Sequence, residues 1–145
     1  MVDQVTIILQ GLPGAGKSTW AAAWRDLDPQ RRQVVNRDEI RFELFGVYSG
    51  LTVEQEAVVS DIESLRADRA LRAGLSVVVD ATNLKSVHRE AWVALAAWHG
   101  VRVEVVAIDT PLEECLRRNR SRAAGGGRLV SEDIIRSMSV AAECV

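Results

Sequence analysis

The chain has 145 residues, of which 48% are hydrophobic and 26% are charged, and its formal net charge is -2. This size and composition predict one globular domain, spanning residues 1–145, with a full hydrophobic core. The charge argues against a protein that coats nucleic acid through many phosphate contacts, because such proteins are strongly basic.

The two cysteines, Cys115 and Cys144, are too few for a disulfide framework. We find no amino-terminal signal segment and no apolar run long enough to span a bilayer. We therefore expect a cytoplasmic protein that is not associated with a membrane. His88 and His99 form no metal-ligand pattern with the cysteines, so a zinc site is not expected.

The hydrophobic pattern predicts strands that alternate with helices. Strands are predicted at residues 5–9, 34–35, 75–79 and 101–108. Helices are predicted from 17 to about 28, over 36–45, from 52 to about 73, from 86 to about 99, and from about 111 and 131 onward. This alternation indicates an α/β protein with a parallel sheet.

Several side chains have predicted structural places. Thr52 and Gln55 form a capping box at the start of the third helix, and Ser86 can cap the fourth. The buried stripe of the third helix is predicted to be Val58, Ile62, Leu65 and Ala70. The tryptophans are expected in the core or at its edge, with no chemistry assigned to them: Trp20, Trp24, Trp92 and Trp98.

Residues 11–18 fit the phosphate-loop pattern G-x-x-x-x-G-K-[ST], between a strand and a helix. Gly11, Gly14 and Gly16 let backbone amides converge on phosphate oxygens, and the helix after them directs its positive end at the same oxygens. Lys17 is expected to bridge the β- and γ-phosphates of a nucleotide, and Ser18 to ligate Mg²⁺.

Asp38 and Arg41 are three residues apart on a predicted helix, so their side chains lie on one face. If this helix starts after the second strand, the pair lies at the ligand-binding edge of the sheet. The carboxylate could accept the proton of an attacking hydroxyl, and the guanidinium could hold a phosphate of the acceptor. On spacing alone, the favoured interpretation is an exposed intrahelical ion pair, worth about 0.3–0.5 kcal/mol.

Asp80 closes the third apolar strand, where phosphate-loop enzymes place an acid that assists Mg²⁺. A strand-end Asp can also simply cap a turn. Thr82 and Asn83 follow at the same edge and could contact a substrate or make the turn.

A group of arginines precedes three glycines: Arg117, Arg118, Arg120 and Arg122, then Gly125, Gly126 and Gly127. A cationic, mobile segment of this kind suits a lid, at about residues 117–130, that closes on the transferred phosphate. The alternative is a solvated helix end followed by a flexible loop.

Five segments stand out in the order of the chain: residues 11–20 (GLPGAGKSTW), 36–41 (NRDEIR), 80–84 (DATNL), 118–122 (RNRSR) and 134–138 (IIRSM). In sequence and order they resemble the kinase module of phage and bacterial polynucleotide 5′-kinases. The resemblance implies an adenylate-kinase-like P-loop fold, with a four-stranded parallel sheet flanked by helices and a lid. It also implies transfer of the γ-phosphate of ATP to a 5′-hydroxyl end of DNA or RNA, in nucleic acid repair.

The resemblance also implies roles for individual residues. Asp38 would be the general base, Arg41 would hold the neighbouring acceptor phosphate, and Thr82 and Asn83 would lie along the acceptor path. Ser18 and Asp80 are assigned to Mg²⁺. The residues assigned to the nucleotide are Gly11, Gly14, Ala15, Gly16, Lys17, Ser18, Thr19, Arg118 and Arg122.

One departure concerns Asp80, because some family members place the acid immediately before Thr-Asn, whereas Ala81 intervenes here. Asp80 could therefore approach either the metal's water shell or the acceptor-side arginine. Family kinase modules are often fused to phosphatase, phosphodiesterase or ligase domains. Since this chain stops at Val145, such activities would come from another chain or a longer parent protein.

Two other functions fit a phosphate loop. A small-molecule kinase on the same fold would use Asp38 as its base and act on a sugar, nucleoside or antibiotic hydroxyl. A nucleotide-dependent switch would hydrolyse nucleotide slowly and transfer phosphate to no acceptor.

Overall fold

The computed structural model describes residues 3–126 and 129–143. Gly127 and Arg128 of the predicted lid, and Cys144, lie outside the described residues. The elements in chain order are β1 (Val5–Gln10), α1 (Lys17–Asp26), β2 (Arg32–Asn36), α2 (Arg37–Phe45), α3 (Val53–Arg72), β3 (Ser76–Asp80), α4 (Ser86–Trp98), β4 (Arg102–Ala107), α5 (Leu112–Ala124) and α6 (Glu132–Glu143).

The strands form one parallel sheet in the order β2-β3-β1-β4. Ile7 of β1 pairs with Val78 of β3 on one side and with Glu104 of β4 on the other. Parallel strands end at a common edge, so the loop after β1, the start of α2 and Asp80 all meet there. The predicted α/β class with a four-stranded parallel sheet flanked by helices is confirmed.

The two faces of the sheet are covered by different helices. Ile8, Val77 and Val79 pack with residues of α3 and α4 in one core cluster. Ile7 and Val78 belong to a second cluster that contains residues of α1. Successive strand residues point to opposite faces, so strands buried on both sides must read as continuous apolar runs, as β1 and β3 do.

Two predicted helix starts have different outcomes. The capping box at Thr52 and Gln55 is present at the start of α3. The cap at Ser86 is wrong, because Lys85 is the N-cap of α4 and Ser86 is its first helical residue. Only the non-helical N-cap position lets a side-chain oxygen turn back to the free N–H groups of the first turn.

The buried stripe predicted for α3 is wrong at two positions, because Val58 and Leu65 are exposed. The buried residues of α3 are Val59, Glu63, Ala67, Ala70 and Leu71, so of the predicted stripe only Ala70 is fully buried. The observed stripe is rotated by about one residue: Val59, Ala67, Ala70 and Leu71 pack in the first core cluster, and Glu63 lies on the same face. A buried charge needs a partner, and the carboxylate of Glu63 finds it in Arg37 of α2.

The tryptophan prediction fails at Trp98, whose exposed fraction is 82%. Trp92 is buried in the first core cluster, and Trp20 and Trp24 are partly buried against the second cluster, as predicted. Trp98 lies two residues beyond the buried Ala96, which places it on roughly the opposite side of α4. Among the helices of residues 3–126 and 129–143, none combines the length and the apolarity needed to cross a membrane.

Candidate active site

The phosphate loop has a backbone that requires glycine. Gly14 and Gly16 have φ angles of +83° and +104°, in the left-handed region. A Cβ atom on Gly14 would lie 2.7 Å from the carbonyl oxygen of Cys115, so the loop approaches α5 too closely for any side chain. Thr110 also donates a hydrogen bond from its hydroxyl to the carbonyl of Ala15, at 2.6 Å.

The side chain of Lys17 lies over this loop and is only 8% exposed. Its ammonium donates hydrogen bonds to the carbonyl oxygens of Gly11 and Leu12, at 3.0 and 2.7 Å. Since α1 begins at Lys17, its first turn, which includes Ser18 and Thr19, directs backbone N–H groups toward the loop. This is the general arrangement of an anion site at a helix N-terminus.

Ser18 and Asp80 meet at the carboxyl edge of the sheet. The hydroxyl of Ser18 donates a hydrogen bond to Oδ2 of Asp80, at 2.7 Å. The side-chain amide of Asn36 donates to the same oxygen, at 3.1 Å. The structure thus places this carboxylate in contact with the phosphate-loop serine, while its approach to a metal's water shell stays a prediction.

Asn36 connects this pair to the acceptor side of the predicted site. It is the N-cap of α2, and its side-chain oxygen accepts hydrogen bonds from the backbone N–H groups of Asp38 and Glu39, at 2.9 and 3.2 Å. One amide therefore fixes both the carboxylate of Asp80 and the first turn of the helix that carries Asp38 and Arg41.

Asp38 and Arg41 belong to a larger network between α2 and α3. We call this network the α2–α3 charge cluster; it consists of Arg37, Asp38, Arg41, Glu56 and Glu63. Arg41 donates to Asp38 at 2.8 Å and makes a bidentate pair with Glu56, at 3.1 Å for both Nε and Nη2. Arg37 bridges Glu56, at 2.6 Å, and the buried Glu63.

The surroundings shift the pKa values of this cluster in different directions. Burial raises the pKa of Glu63, and the nearby Arg37 only partly opposes the effect. For Glu56, burial also raises the pKa, but hydrogen bonds from Arg41 and Arg37 outweigh it, and the pKa is lowered. Burial disfavours the charged form of Arg41, yet its bonds to Glu56 and the charge of Asp38 leave its pKa raised.

Thr82 and Asn83 lie at the end of β3, next to the phosphate loop. The carbonyl of Thr82 accepts a hydrogen bond from the backbone N–H of Gly11, at 3.1 Å. Asn83 is 3% exposed, has a φ of +47°, and donates from its amide to the carbonyl of Leu9, at 2.8 Å. Both residues therefore fasten the β3 end to the β1 end, while their contact with an acceptor stays a prediction.

The arginines of the predicted lid lie on helix α5, which runs through residue 124. Arg118 donates to the carbonyl oxygens of Gly14 and Ala15, at 3.3 and 3.2 Å, and pairs with Glu114 at 3.0 Å. Arg122 is one helical turn further on and faces the same cleft. Of these two arginines assigned to the nucleotide, Arg118 thus contacts the phosphate loop and Arg122 lines the same cleft, while closure of the segment stays a prediction.

A single cleft of about 1540 Å³ joins these groups. It is lined from the phosphate-loop side by Lys17, Ser18 and Asp80, and from the α2 side by Asp38 and Arg41. Thr82, Asn83, Arg118 and Arg122 also line it. The structure therefore brings the predicted donor and acceptor residues around one space.

Sequence reasoning missed three residues that organise this cleft: Asn36, Glu56 and Glu63. A signal for the two glutamates was present. Glu56 and Glu63 are seven residues apart and Arg37 and Arg41 four apart, so each pair lies on one helical face. Opposite charges repeating on two successive helices predict that those faces pack together.

The oxygen atoms of Ser18 and Asp80 fit Mg²⁺, which prefers hard oxygen ligands and completes its shell with water and substrate phosphates. Within the part of the chain that the structure describes, no group of three or more His, Cys, Asp or Glu could hold a metal ion alone. A hydroxyl and a carboxylate leave the other coordination positions of such an ion to water and phosphate oxygens.

The chain matches a known protein family. The model of the AAA domain family matches residues 6–143. The chain belongs to the AAA domain family. The chain is similar to a candidate bifunctional polynucleotide kinase/RNA ligase of Autographa californica nuclear polyhedrosis virus, with 30% identity over 131 residues. That alignment covers 81% of this chain and 18% of the viral protein.

Solved structures with this AAA domain fold include kinases. A chain of the Pnkp1/Rnl/Hen1 RNA repair complex superposes with a TM-score of 0.86 and 24% identity, over 99% of this chain and 45% of that one. The APS kinase CysC of Mycobacterium tuberculosis, solved with AMPPNP and APS, gives a TM-score of 0.65 and 26% identity, over 87% of this chain and 76% of that one.

The chain therefore spans less than half the length of the repair-complex chain and about a fifth of the viral relative. The family match and the phosphate loop place the chain in a P-loop fold that solved kinases share. The resemblance to polynucleotide kinases noted in the sequence is confirmed by the family match and the viral relative.

Proposed function

We propose that this chain transfers the γ-phosphate of ATP to the 5′-hydroxyl end of a DNA or RNA strand. The observation that carries the proposal is the shared cleft, in which the phosphate loop faces the Asp38–Arg41 pair. Phosphoryl transfer needs a donor phosphate and an acceptor oxygen held in line, with their charge neutralised. A cleft with a phosphate site on one side and a carboxylate–guanidinium pair on the other meets that need.

On the donor side, the phosphate loop and the first turn of α1 would bind the β- and γ-phosphates, with Lys17 among them. Ser18 and Asp80 would hold Mg²⁺. When bound, the ion supplies positive charge at the phosphate oxygens. Asn36 would keep Asp80 in place through its amide hydrogen bond.

On the acceptor side, Asp38 would act as the general base. The 5′-oxygen attacks the γ-phosphorus, the bond from that phosphorus to the bridging oxygen of ADP breaks, and the proton of the hydroxyl moves to the carboxylate of Asp38. Arg41 would bind the phosphate next to the 5′-nucleoside. A guanidinium carries more N–H donors than the bonds to Asp38 and Glu56 use. Arg41 could therefore bind the acceptor phosphate while it keeps its bonds to the two carboxylates.

Arg118 and Arg122 would neutralise charge on the donor phosphates from the α5 side. Arg118 already lies against the phosphate-loop carbonyls, and Arg122 faces the cleft beside it. Positive charge that approaches the transferred group stabilises the transition state more than the ground state. The lid role of residues 117–130 is part of this proposal.

The choice of a nucleic acid acceptor is supported by the viral polynucleotide kinase/RNA ligase relative and by the fold shared with the RNA repair complex. Both are longer than this chain, so we further propose that it works with ligase or other end-healing activities, on the same polypeptide or on a partner.

A second candidate is a small-molecule kinase. It is favoured by the similarity to APS kinase, of which the alignment covers 76%. In that case Asp38 keeps its role, and Arg41 meets an anionic group of a small acceptor or only braces the carboxylate.

The test is a comparison of acceptors under one condition. ATP labelled at the γ-phosphate is supplied with Mg²⁺ to matched 5′-OH DNA and RNA oligonucleotides, to their 5′-phosphorylated forms as blocked controls, and to a panel of sugars, nucleosides and APS. The Lys17→Ala variant controls for contaminating kinases, because it removes a charge expected to act on the transition state.

Label on the 5′-OH strands, but not on the blocked ones or in the Lys17→Ala sample, is the expected result. A higher kcat/KM for a small molecule than for either strand would replace the proposal with the second candidate. Nucleotide hydrolysis without transfer to any hydroxyl would instead indicate a switch.

A further inference from the structure

Two aromatic rings stack beside the acceptor side of the cleft. Phe42 of α2 and Tyr48, in the connection between α2 and α3, have ring centroids 4.8 Å apart and ring planes 16° from parallel. Phe42 is 49% exposed, and neither ring belongs to the two core clusters found in the described residues. The pair therefore does not serve to fill the core.

The positions of the two rings relative to the cleft differ. Tyr48 lines the cleft together with Asp38 and Arg41, whereas Phe42 is outside its lining. Phe42 therefore supports the tyrosine ring from behind and limits its rotation, which reduces the conformational entropy lost when a ligand stacks on it.

The chain also fixes how near this ring pair is to the proposed chemistry. Phe42 follows Arg41 directly and lies one helical turn after Asp38, on the same side of α2. The lining of the cleft also includes the apolar residues Leu51, Leu84 and Leu95. Aromatic and apolar side chains thus line the same cleft as the carboxylate–guanidinium pair.

We propose that Tyr48, supported by Phe42, is a stacking site for the nucleobase at the 5′ end of the acceptor strand. The inference rests on the proposed function and names a part of the substrate that this function leaves open. Every base has a π-face, so a single aromatic platform binds ends of any sequence, as aromatic residues do in single-strand binding proteins. It would place the 5′-nucleoside while Arg41 holds the adjacent phosphate.

The experiment couples a change in the protein to a change in the substrate. Acceptor KM and kcat are measured for an oligonucleotide with a normal 5′-terminal nucleotide and for one whose 5′-terminal nucleotide lacks its base. The proteins are wild type, Tyr48→Ala, Tyr48→Phe as the ring-preserving variant, and Trp98→Ala as a control for loss of an exposed aromatic residue remote from the cleft.

For wild type, removal of the 5′ base should raise the acceptor KM by about 5- to 100-fold, the range typical of one base stacked on an aromatic ring. Tyr48→Ala should raise the KM for the normal strand by a similar factor and lose most of its sensitivity to the missing base. Tyr48→Phe and Trp98→Ala should behave like wild type. ATP affinity and far-ultraviolet circular dichroism check that Tyr48→Ala remains folded.

If wild type phosphorylates both strands but Tyr48→Ala shows the same penalty for the missing base, the stacking site is refuted and the proposed function stands. If wild type phosphorylates neither strand, the proposed function fails first and this inference fails with it. Quenching of 2-aminopurine placed at the 5′ position, lost in Tyr48→Ala, provides a readout that a merely structural role for Tyr48 would not produce.

Discussion

The hydroxyl of Ser18 donates a hydrogen bond to the carboxylate of Asp80 at 2.7 Å, joining the start of α1 to the end of β3. The residues are 62 positions apart in the chain and meet because β1 and β3 are parallel neighbours whose carboxyl ends share an edge. Asn36 holds the same carboxylate oxygen from the end of β2. The start of α1 and the ends of β2 and β3 thus meet at one oxygen at the proposed Mg²⁺ position.

This convergence predicts that Asp80→Asn changes the response to Mg²⁺. The amide keeps the shape of the side chain but removes its negative charge, so the Mg²⁺ concentration for half-maximal transfer should rise by about 10- to 100-fold. The measurement is the transfer rate against Mg²⁺ concentration. Nucleotide affinity without Mg²⁺ serves as the control and should change little; an unaltered Mg²⁺ dependence would remove Asp80 from the metal site.

Gly14→Ala should destabilise the phosphate loop by more than the strain of a left-handed backbone conformation alone. The new Cβ would lie 2.7 Å from the carbonyl oxygen of Cys115, so the backbone of the loop or of α5 would have to shift. The matched control is Gly74→Ala, since Gly74 has a similar φ of +87° and nothing within 4 Å of its Cβ position. Both variants carry the left-handed penalty of about 1–2 kcal/mol.

We expect Gly14→Ala to lose a further 1–3 kcal/mol or so in the free energy of unfolding, or to bind ATP at least tenfold more weakly. Urea unfolding and nucleotide titration measure the two quantities. Equal stability and equal ATP affinity in the two variants would show that the contact with α5 is unimportant.

Glu56→Gln should weaken the α2–α3 charge cluster in a pH-dependent manner. Glu56 has a lowered pKa in the folded protein, so its charge stabilises the fold above its ordinary pKa of 4.5, and this stability is lost as the pH falls through the lowered value. At pH 7 the variant should lose about 1 kcal/mol of unfolding free energy, a modest amount because the side chain is partly exposed.

Urea unfolding between pH 3 and pH 8 measures this loss, with Glu54→Gln on the exposed side of the same helix as the control. The difference between wild type and Glu56→Gln should shrink as the pH falls below 4.5. A difference that stays constant over the whole range would mean that the ion pairs of Glu56 do not contribute to stability.

Arg122→Ala tests the charge that α5 brings to the cleft. Loss of one group that stabilises the transition state typically lowers kcat by about 100- to 1000-fold. Arg120→Ala is the matched control, because Arg120 lies on the same helix but pairs with Glu132 and does not line the cleft. Single-turnover transfer rates compare the variants, and similar rates for both would exclude Arg122 from the site.

The sequence predicted the sheet and the phosphate loop because both depend on local patterns. A short, β-branched apolar run between turn residues is typical of a strand covered on both faces, and the spacing of Gly14, Gly16 and Lys17 follows from the shape of a phosphate. The same locality predicted the capping box at Thr52, since its two hydrogen bonds lie within one helical turn.

The wrong stripe of α3 and the missed role of Asn36 concern relations between elements. Val58 and Leu65 fitted an apolar stripe, but the face of α3 that is buried carries Glu63, which pairs with Arg37 of α2. The double role of Asn36, which caps α2 and holds Asp80, needs the register of β2 against β3, and no local pattern contains it. A search for complementary charges on successive helices would have found the first relation but not the second.

The central claim, that Asp38 activates a 5′-hydroxyl, is tested most directly by single-turnover transfer of labelled γ-phosphate to a 5′-OH oligonucleotide by wild type, Asp38→Ala and Asp38→Asn. Loss of a general base should lower the transfer rate by about 100- to 10,000-fold, while the ATP affinity, measured in the same samples, stays close to wild type. A transfer rate that survives in Asp38→Ala would contradict the account.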